Sequence, residues 1–314
     1  MVSISVGSGT SGSGGVVGVR SGRSTVTTGG ALSVESGEGT ASTSGSIVIR
    51  SANSGASGSS GMLVFSTGTS NGGNSGGLII GSGHLVTIQS DIKDFERLDI
   101  SSAFEADVVQ GNRFSIELEV DDNLREFVVV EQKKDVLRIG LRPFAVYTNT
   151  TTRVKIVMPR LKGIEVSGAV KATLDGFCSG HDFSLDASGA STIQFKKFLI
   201  GKTDIHLSGA SEITGALDTG DISFHLSGAS KATIKGSGKT LEIDASGASS
   251  FVMDAFPVQN TWIKLSGASH ARVSLKGRLD ADLSGASTVL YSGDVKLGDI
   301  ETSGASSVRR HSQK

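Results

Sequence analysis

The chain has 314 residues, and its 30 basic and 31 acidic side chains leave a formal net charge of −1. This balance argues against a nucleic-acid groove or a polybasic membrane patch, since both need an excess of positive charge. The single cysteine, Cys178, excludes an internal disulfide framework and a thiolate zinc cage. The longest apolar runs are far too short to cross a bilayer, so we predict no membrane span and no nucleic-acid partner.

Residues 1–83 form a Ser/Gly-rich segment with 22 Gly and 21 Ser. A flexible linker of this composition would lack hydrophobic periodicity. Instead, two apolar columns recur every 15 or 16 residues: Val2, Val17, Leu32, Ile47, Leu63 and Leu78, and two residues later Ile4, Val19, Val34, Ile49, Phe65 and Ile80. We therefore predict a β-repeat array of short strands and polar turns, whose stacked copies bury an apolar stripe. A disordered low-complexity tract is the alternative.

Residues 84–162 carry ordinary strand signals and are predicted to lead into the repeats that follow. Apolar and polar residues alternate in three segments, Phe114–Val120, Val136–Leu141 and Val154–Met158. This period of two predicts half-buried strands. Residues 96–111 resemble a degenerate first coil of the later repeat, in which Ser102 and Ala103 flank the place of a missing glycine.

Residues 163–314 repeat the triplet Ser-Gly-Ala at steps of 18 to 21 residues. The glycines of the triplets are Gly168, Gly189, Gly209, Gly228, Gly247, Gly267, Gly285 and Gly304. We predict that each triplet forms the corner of one coil, because glycine permits a positive φ where a chain must bend sharply. The alanine is predicted to be small because it faces a narrow corner interior.

The residues around each triplet alternate in polarity. Three residues before its serine the side chain is apolar in every coil, the next residue is polar, and the one after that is apolar in all coils but the last. Polar and apolar residues also alternate after the triplet. Apolar side chains facing inward and polar ones outward predict a strand on each side of every corner. We predict an all-β chain: a parallel β-helix, or solenoid, preceded by the Ser/Gly-rich array, with coils about 4.8 Å apart.

Four features carry a resemblance to a known family. They are Phe95–Val109 with Gln110-Gly111, Asp121-Asp122-Asn123-Leu124, Ile156–Leu161 leading into Ile164–Ala169, and the Ser-Gly-Ala units. With them, residues 95–307 resemble the head GIN domain, described as the head of autotransporter adhesins. The resemblance implies a right-handed parallel β-helix at the cell surface or outside the cell, and it brings no catalytic residues.

Two features of the N-terminal part of the chain also bear on where the protein is located. The array in residues 1–83 is similar in composition and period to Ser/Gly-rich repeats of algal surface proteins. Met1–Val6 has neither the basic nor the apolar region of a signal peptide, so no signal peptide is predicted.

A histidine pair is the candidate metal cluster. His206 and His225 occupy the same outward column in successive coils, and Asp186 and Asp244 flank them in that column. Imidazole and carboxylate ligands together could hold a divalent metal. The alternative, which we favour, is a solvated polar ladder, so we predict no metal and no cofactor.

Two further outward patterns bear on function. The serines of the triplets form one hydroxyl column, and the serines that directly follow the triplets form another. These columns either present a flat array to a ligand or satisfy backbone groups at the corner, and we favour the second. Carboxylates such as Asp186, Asp244, Asp282 and Glu301 offer no pair distinguished as an acid and a base, and coils of nearly constant length leave no long loops for a cleft. We predict no catalytic residues.

These patterns favour a non-enzymatic, adhesin-like repeat protein of a surface or matrix, which presents outward polar ladders to a glycan or another surface component. A polysaccharide-binding or polysaccharide-cleaving β-helix is one alternative, and a structural spacer without a ligand is another. Because the open ends of a solenoid need capping, self-association through the ends is also predicted.

Overall fold

The computed structural model describes residues 4, 16–21, 34, 78–143 and 145–311 of the chain. The chain divides into two compact units, residues 1–64 and 65–314. No helix in the described part of the chain combines the length and apolar character needed to cross a membrane.

The described residues of the first unit do not show the predicted apolar stripe. None of them lies in a strand, and Ile4, Val17, Val19 and Val34 are exposed. Serine and glycine make up about half of residues 1–83, so the segment has little apolar area to bury. The predicted burial is wrong at these four positions, and most of the predicted array lies outside the described residues.

Nine strands of the second unit lead into the coils. They are β1 (Leu78–Ile80), β2 (Leu85–Ser90), β3 (Arg97–Ile100), β4 (Glu105–Gln110), β5 (Ser115–Asp121), β6 (Val128–Lys133), β7 (Val136–Leu141), β8 (Val146–Thr148) and β9 (Thr152–Met158). A 3₁₀ helix, Asp122–Phe127, follows β5. Strands β5, β7 and β9 fall on the three segments predicted from alternation. Strand β1 pairs with β8, so residues 78–80 belong with the leading strands, although the predicted boundary of the array lies after residue 83.

Fourteen strands form the coils. They are β10 (Gly163–Val166), β11 (Lys171–Asp175), β12 (Phe183–Ala187), β13 (Thr192–Leu199), β14 (Thr203–Leu207), β15 (Glu212–Asp218), β16 (Asp221–Leu226), β17 (Lys231–Ser237), β18 (Thr240–Ala245), β19 (Ser250–Leu265), β20 (His270–Leu283), β21 (Thr288–Gly293), β22 (Lys296–Thr302) and β23 (Ser307–Arg310). Strands that precede a triplet form one parallel stack, and strands that follow a triplet form a second. Strands β19 and β20 are long enough to take part in both stacks.

Residues at the same offset from Ser-Gly-Ala pair directly in successive coils. Before the corner, the column Ile164, Leu185, Ile205, Phe224, Ile243, Ile263, Ala281 and Ile300 is in register throughout. After the corner, the column from Ala172 to Val308 is in register as well. The predicted all-β fold with stacked parallel coils is confirmed, and the core lies between the two stacks.

A degenerate coil precedes the eight Ser-Gly-Ala coils, as the sequence indicated. Strand β3 pairs with β10 and β4 pairs with β11, which places Ser102 at the position of Gly168 in the next coil. Ser102 and Ala103 both have a positive φ, 64° and 59°. The bend is therefore kept in this coil without its glycine.

The two ends of the solenoid differ. At the N-terminal end, β7 and β6 extend the first stack, and β9, β5 and β2 extend the second, partly by antiparallel pairing. At the other end, β22 and β23 pair on one side among the described residues. Charged residues such as Lys296, Glu301 and Arg309 lie on these edge strands and disfavour edge-to-edge pairing. Self-association through the ends remains a prediction.

Candidate functional site

The Ser-Gly-Ala triplets lie directly above one another. Their eight glycines all have φ between 69° and 86°, a region that glycine enters at little steric cost. The alanine N–H of one coil donates to the glycine carbonyl oxygen of the preceding coil in seven successive hydrogen bonds of 2.7–2.8 Å. A Cβ added to any of the seven glycines from Gly189 to Gly304 would overlap that same carbonyl group. Close stacking of the backbone, as well as its conformation, therefore requires glycine here.

The alanines of the triplets do not face a narrow interior, and that prediction is wrong. Their side chains are exposed in all eight coils: Ala169, Ala190, Ala210, Ala229, Ala248, Ala268, Ala286 and Ala305. The chain turns inward one residue later, at a serine that is at most 1% exposed in six coils: Ser191, Ser211, Ser230, Ser249, Ser269 and Ser287. The alanine therefore lies on the outside of the bend.

These buried serines complete the hydrogen bonding of the corners. In each of the six coils, the hydroxyl donates to the carbonyl oxygen of the triplet's own serine, at 2.8–2.9 Å. A serine side chain commonly bonds a carbonyl three residues back in this way. The hydroxyls of these buried serines thus donate to the backbone, and they do not form a surface that could bind a ligand.

Removing one of these hydroxyls should weaken the corner measurably. Ser230→Ala leaves the carbonyl oxygen of Ser227 without its donor, and we expect a loss of about 1 kcal/mol in the free energy of unfolding. Urea unfolding followed by circular dichroism measures this loss. The exposed Ser227→Ala is the matched control, with an expected change within about 0.5 kcal/mol. Equal losses in the two variants would contradict the assigned role.

The strands before the corners present two outward columns, because alternate residues of a strand face the same side. The column next to the corner contains Glu165, Asp186, His206, His225, Asp244, Lys264, Asp282 and Glu301, and the column two residues earlier contains Gly163, Ser184, Asp204, Ser223, Glu242, Trp262 and Asp280. We call this surface the outward face. Carboxylates predominate on it.

A groove of about 410 Å³ crosses the outward face at the histidine pair. The rings of His206 and His225 are stacked, with centroids 4.6 Å apart and planes inclined by 18°. The Oδ1 atom of Asp204 lies 3.4 Å from Nε2 of His206 and 3.7 Å from Nε2 of His225. Asp186 and Asp244 line the same groove, each paired with one histidine in the register of the column.

The carboxylate that lies beside both histidines is therefore that of Asp204, and not that of Asp186 or Asp244, the two candidates from the sequence. The potential ligand atoms of Asp204, His206 and His225 all lie within 4.8 Å of one another. The sequence prediction does not include Asp204, because it rests on a single outward column and Asp204 lies in the other. Its spacing was the available signal, since residues two apart in a strand share a face and Asp204 precedes His206 by two.

A second groove of about 460 Å³ surrounds Trp262 on the same face. Trp262 is 40% exposed, and its direct partners in the neighbouring coils are Glu242 and Asp280. Arg278 donates to Asp280 at 2.6 Å and to Asp299 at 2.8 Å. The hydrogen bond from Arg278, together with one from the backbone N–H of Asp299, holds the pKa of the Asp280 carboxyl below its usual value. The groove thus combines an aromatic face with fixed charged and polar groups.

Stacked parallel coils with stacked corners define an all-β solenoid. The chain belongs to the family described as "Putative auto-transporter adhesin, head GIN domain", whose profile matches residues 94–294. The likeness predicted from the Ser-Gly-Ala units is therefore confirmed, whereas nothing in the comparisons supports the algal likeness of residues 1–83. No curated protein matches the chain.

Solved structures of bacterial proteins share the fold. A putative adhesin from Parabacteroides merdae superposes with a TM-score of 0.69 at 21% identity, covering 75% of this chain and 100% of its own. A putative adhesin from Parabacteroides distasonis gives 0.68 at 23% identity, covering 74% and 99%. A protein from the same organism described as a putative lipid binding protein gives 0.71 at 15% identity, with coverages of 74% and 99%. At these identities, the likeness establishes the fold alone.

Proposed function

We propose that the chain is a non-enzymatic, adhesin-like protein of a cell surface or extracellular matrix, which presents its outward face to a partner. The observation that carries the proposal is the register of the coils, which fixes polar side chains at regular spacing over the whole face. Rigid, repeated presentation suits adhesion, because little conformational entropy is lost when a ready-formed surface binds. Membership of a family described as adhesins agrees with this function.

The lengths of the coils favour binding over catalysis. Successive triplets are separated by 18 to 21 residues, so the coils have no room for the long loops that enclose a cleft. The grooves on the outward face are open to solvent and are lined by residues of neighbouring coils. A surface of this shape can hold an extended ligand, whereas it does little to exclude water from a reacting bond.

The second candidate function, glycan binding, is favoured by the groove at Trp262. An exposed indole offers a flat apolar face to a sugar ring, and the surrounding carboxylates and Asn260 offer hydrogen bonds to hydroxyl groups. A partner of this kind would be an extended polysaccharide lying along the face rather than a small sugar enclosed by the protein.

A glycan array probed with the full chain, together with solid-phase binding to extracellular-matrix proteins, tests these proposals. We expect Trp262→Ala to weaken binding to a captured glycan at least about tenfold, since truncation of a central tryptophan is costly at interfaces. Leu199→Ala is the control, because Leu199 is similarly exposed, at 51%, and lies outside the groove.

The outcomes separate the candidate functions. Binding to matrix proteins without any glycan signal would remove the glycan function and leave adhesion. Release of reducing ends from a bound polysaccharide would overturn the non-enzymatic proposal. A complete lack of binding in both assays would favour a structural spacer.

A further inference from the structure

We propose that Asp204, His206 and His225 form a binding site for a divalent transition metal, with Zn²⁺ as the best-suited ion. This inference goes beyond adhesion and does not depend on it. Three ligand atoms from two successive coils converge here: a carboxylate oxygen and an imidazole nitrogen from β14, and a second imidazole nitrogen from β16. Among the described residues, no second group of three such side chains converges in the same way.

The two distances from Asp204 to the imidazole nitrogens suit tetrahedral coordination. Zinc binds histidine nitrogen and carboxylate oxygen at about 2.0–2.2 Å, so two ligand atoms of a tetrahedral site lie about 3.3–3.5 Å apart. The Oδ1 atom of Asp204 is 3.4 Å from Nε2 of His206 and 3.7 Å from Nε2 of His225. An imidazole nitrogen binds a metal in the plane of its ring, and the two rings are stacked with planes inclined by 18°. Both rings must therefore tilt from this arrangement for all three atoms to reach one ion in the groove.

The environment of Asp204 gives a second, independent indication. Its Oδ1 atom is buried and accepts no hydrogen bond from any described group. Although the Asp204 side chain as a whole is 46% exposed, its Oδ1 atom is shielded and has no donor, which leaves that oxygen available to a cation. Asp186 and Asp244 add further negative charge along the same groove, which raises the local concentration of cations.

The ligand set selects among cations. Two imidazoles with one carboxylate favour zinc and its neighbours in the transition series, whereas Ca²⁺ and Mg²⁺ prefer oxygen ligands throughout. Three protein ligands leave the fourth tetrahedral position to a water or to a ligand atom of a bound partner. The histidine side chains are 48% and 40% exposed, so that position is open to the solvent.

Isothermal titration calorimetry of the chelator-treated full chain with ZnCl₂ tests the site. We expect one Zn²⁺ per chain, no comparable binding of Ca²⁺, and at least about tenfold weaker zinc binding by His206→Ala and by His225→Ala. Replacing groups that merely orient ligands already costs about 10–100-fold in affinity. Asp204→Asn should weaken binding in the same direction while keeping the shape of the side chain.

Two controls address other sources of zinc binding. His270→Ala removes a histidine on the opposite side of a corner, and Cys178→Ser removes the exposed thiol; both should leave zinc affinity unchanged. Zinc should also raise the melting temperature of the wild type, because a ligand that binds the folded chain stabilises it, and should not raise that of His206→Ala. Unchanged affinity in both histidine variants, or no zinc binding by the wild type, would overturn the proposal.

Discussion

Replacing Gly228 with valine is expected to lower the free energy of unfolding by at least about 3 kcal/mol. Two effects combine at this position. Gly228 has a φ of 73°, which a β-branched residue adopts only with strain. An added Cβ would also overlap the carbonyl oxygen of Gly209, which accepts the hydrogen bond of the corner ladder. Chemical unfolding followed by circular dichroism measures the loss.

Two further variants test whether the loss is specific to Gly228 or follows from any substitution in a corner. Ala229→Val places the same valine side chain one residue later, at an exposed position, and should change stability by no more than about 0.5 kcal/mol. Gly304→Val meets the same steric conflict in the last corner, where only one neighbouring coil is affected. Because the stability of a solenoid is a sum of nearest-neighbour terms, Gly304→Val should lower the free energy of unfolding by less than Gly228→Val does. Equal midpoints for Gly228→Val and the wild type would show the corner assignment to be wrong.

Phe224→Ala is expected to cost about 3–5 kcal/mol, the usual range for truncating a buried aromatic side chain. Phe224 is fully buried, and its ring meets that of Phe251 edge to face, with centroids 5.0 Å apart and planes inclined by 83°. The contact joins the two strand stacks across the core. The strand of Phe224 is hydrogen-bonded to the strands of both neighbouring coils. The backbone therefore cannot move in easily to fill the cavity that the alanine leaves.

The control for the core variant comes from the chain itself. Isoleucine occupies the Phe224 position in five of the other seven coils. Phe224→Ile should therefore cost less than half as much as the alanine variant, because it refills most of the cavity with a residue suited to the column. Thermal unfolding of both variants measures the difference. Similar losses for isoleucine and alanine would argue that the edge-to-face contact, rather than volume, dominates.

The repeated part of the fold could be predicted because a residue's position relative to the triplet fixes two things. It decides whether the side chain faces the core or the solvent, and it decides which residue of the next coil it pairs with. Gly215, Gly236 and Gly293 show where this stops. They have φ values of 100–127°, and an added Cβ on each would overlap a carbonyl oxygen of the preceding coil. Gly236 and Gly293 lie eight residues after their corner glycines and Gly215 lies six residues after its own, so no single offset aligns all three. Their role depends on the path of each coil, which tertiary packing decides.

The leading strands and the metal cluster were harder to predict for other reasons. Strand β2 pairs with β5, and strand β5 with β9, across segments that share no repeat. Periodicity indicates that such strands exist but not which strands they join. In the candidate site, the outward column next to the corner predicts the histidine pair. Asp204 lies in the second outward column of the same face, two residues earlier in the strand. Only the side-chain distances show that Asp204 lies closer to both imidazoles than the register alone implies.

The central claim is that the corners lie directly above one another, one coil apart. Electron paramagnetic resonance distances between spin labels on the exposed corner alanines test it most directly. In a Cys178→Ser background, cysteine pairs join Ala169 to Ala248, Ala268, Ala286 or Ala305. The labels should move apart by about 4.8 Å for each added coil. Distances that fail to increase regularly along this series would contradict the stacked solenoid.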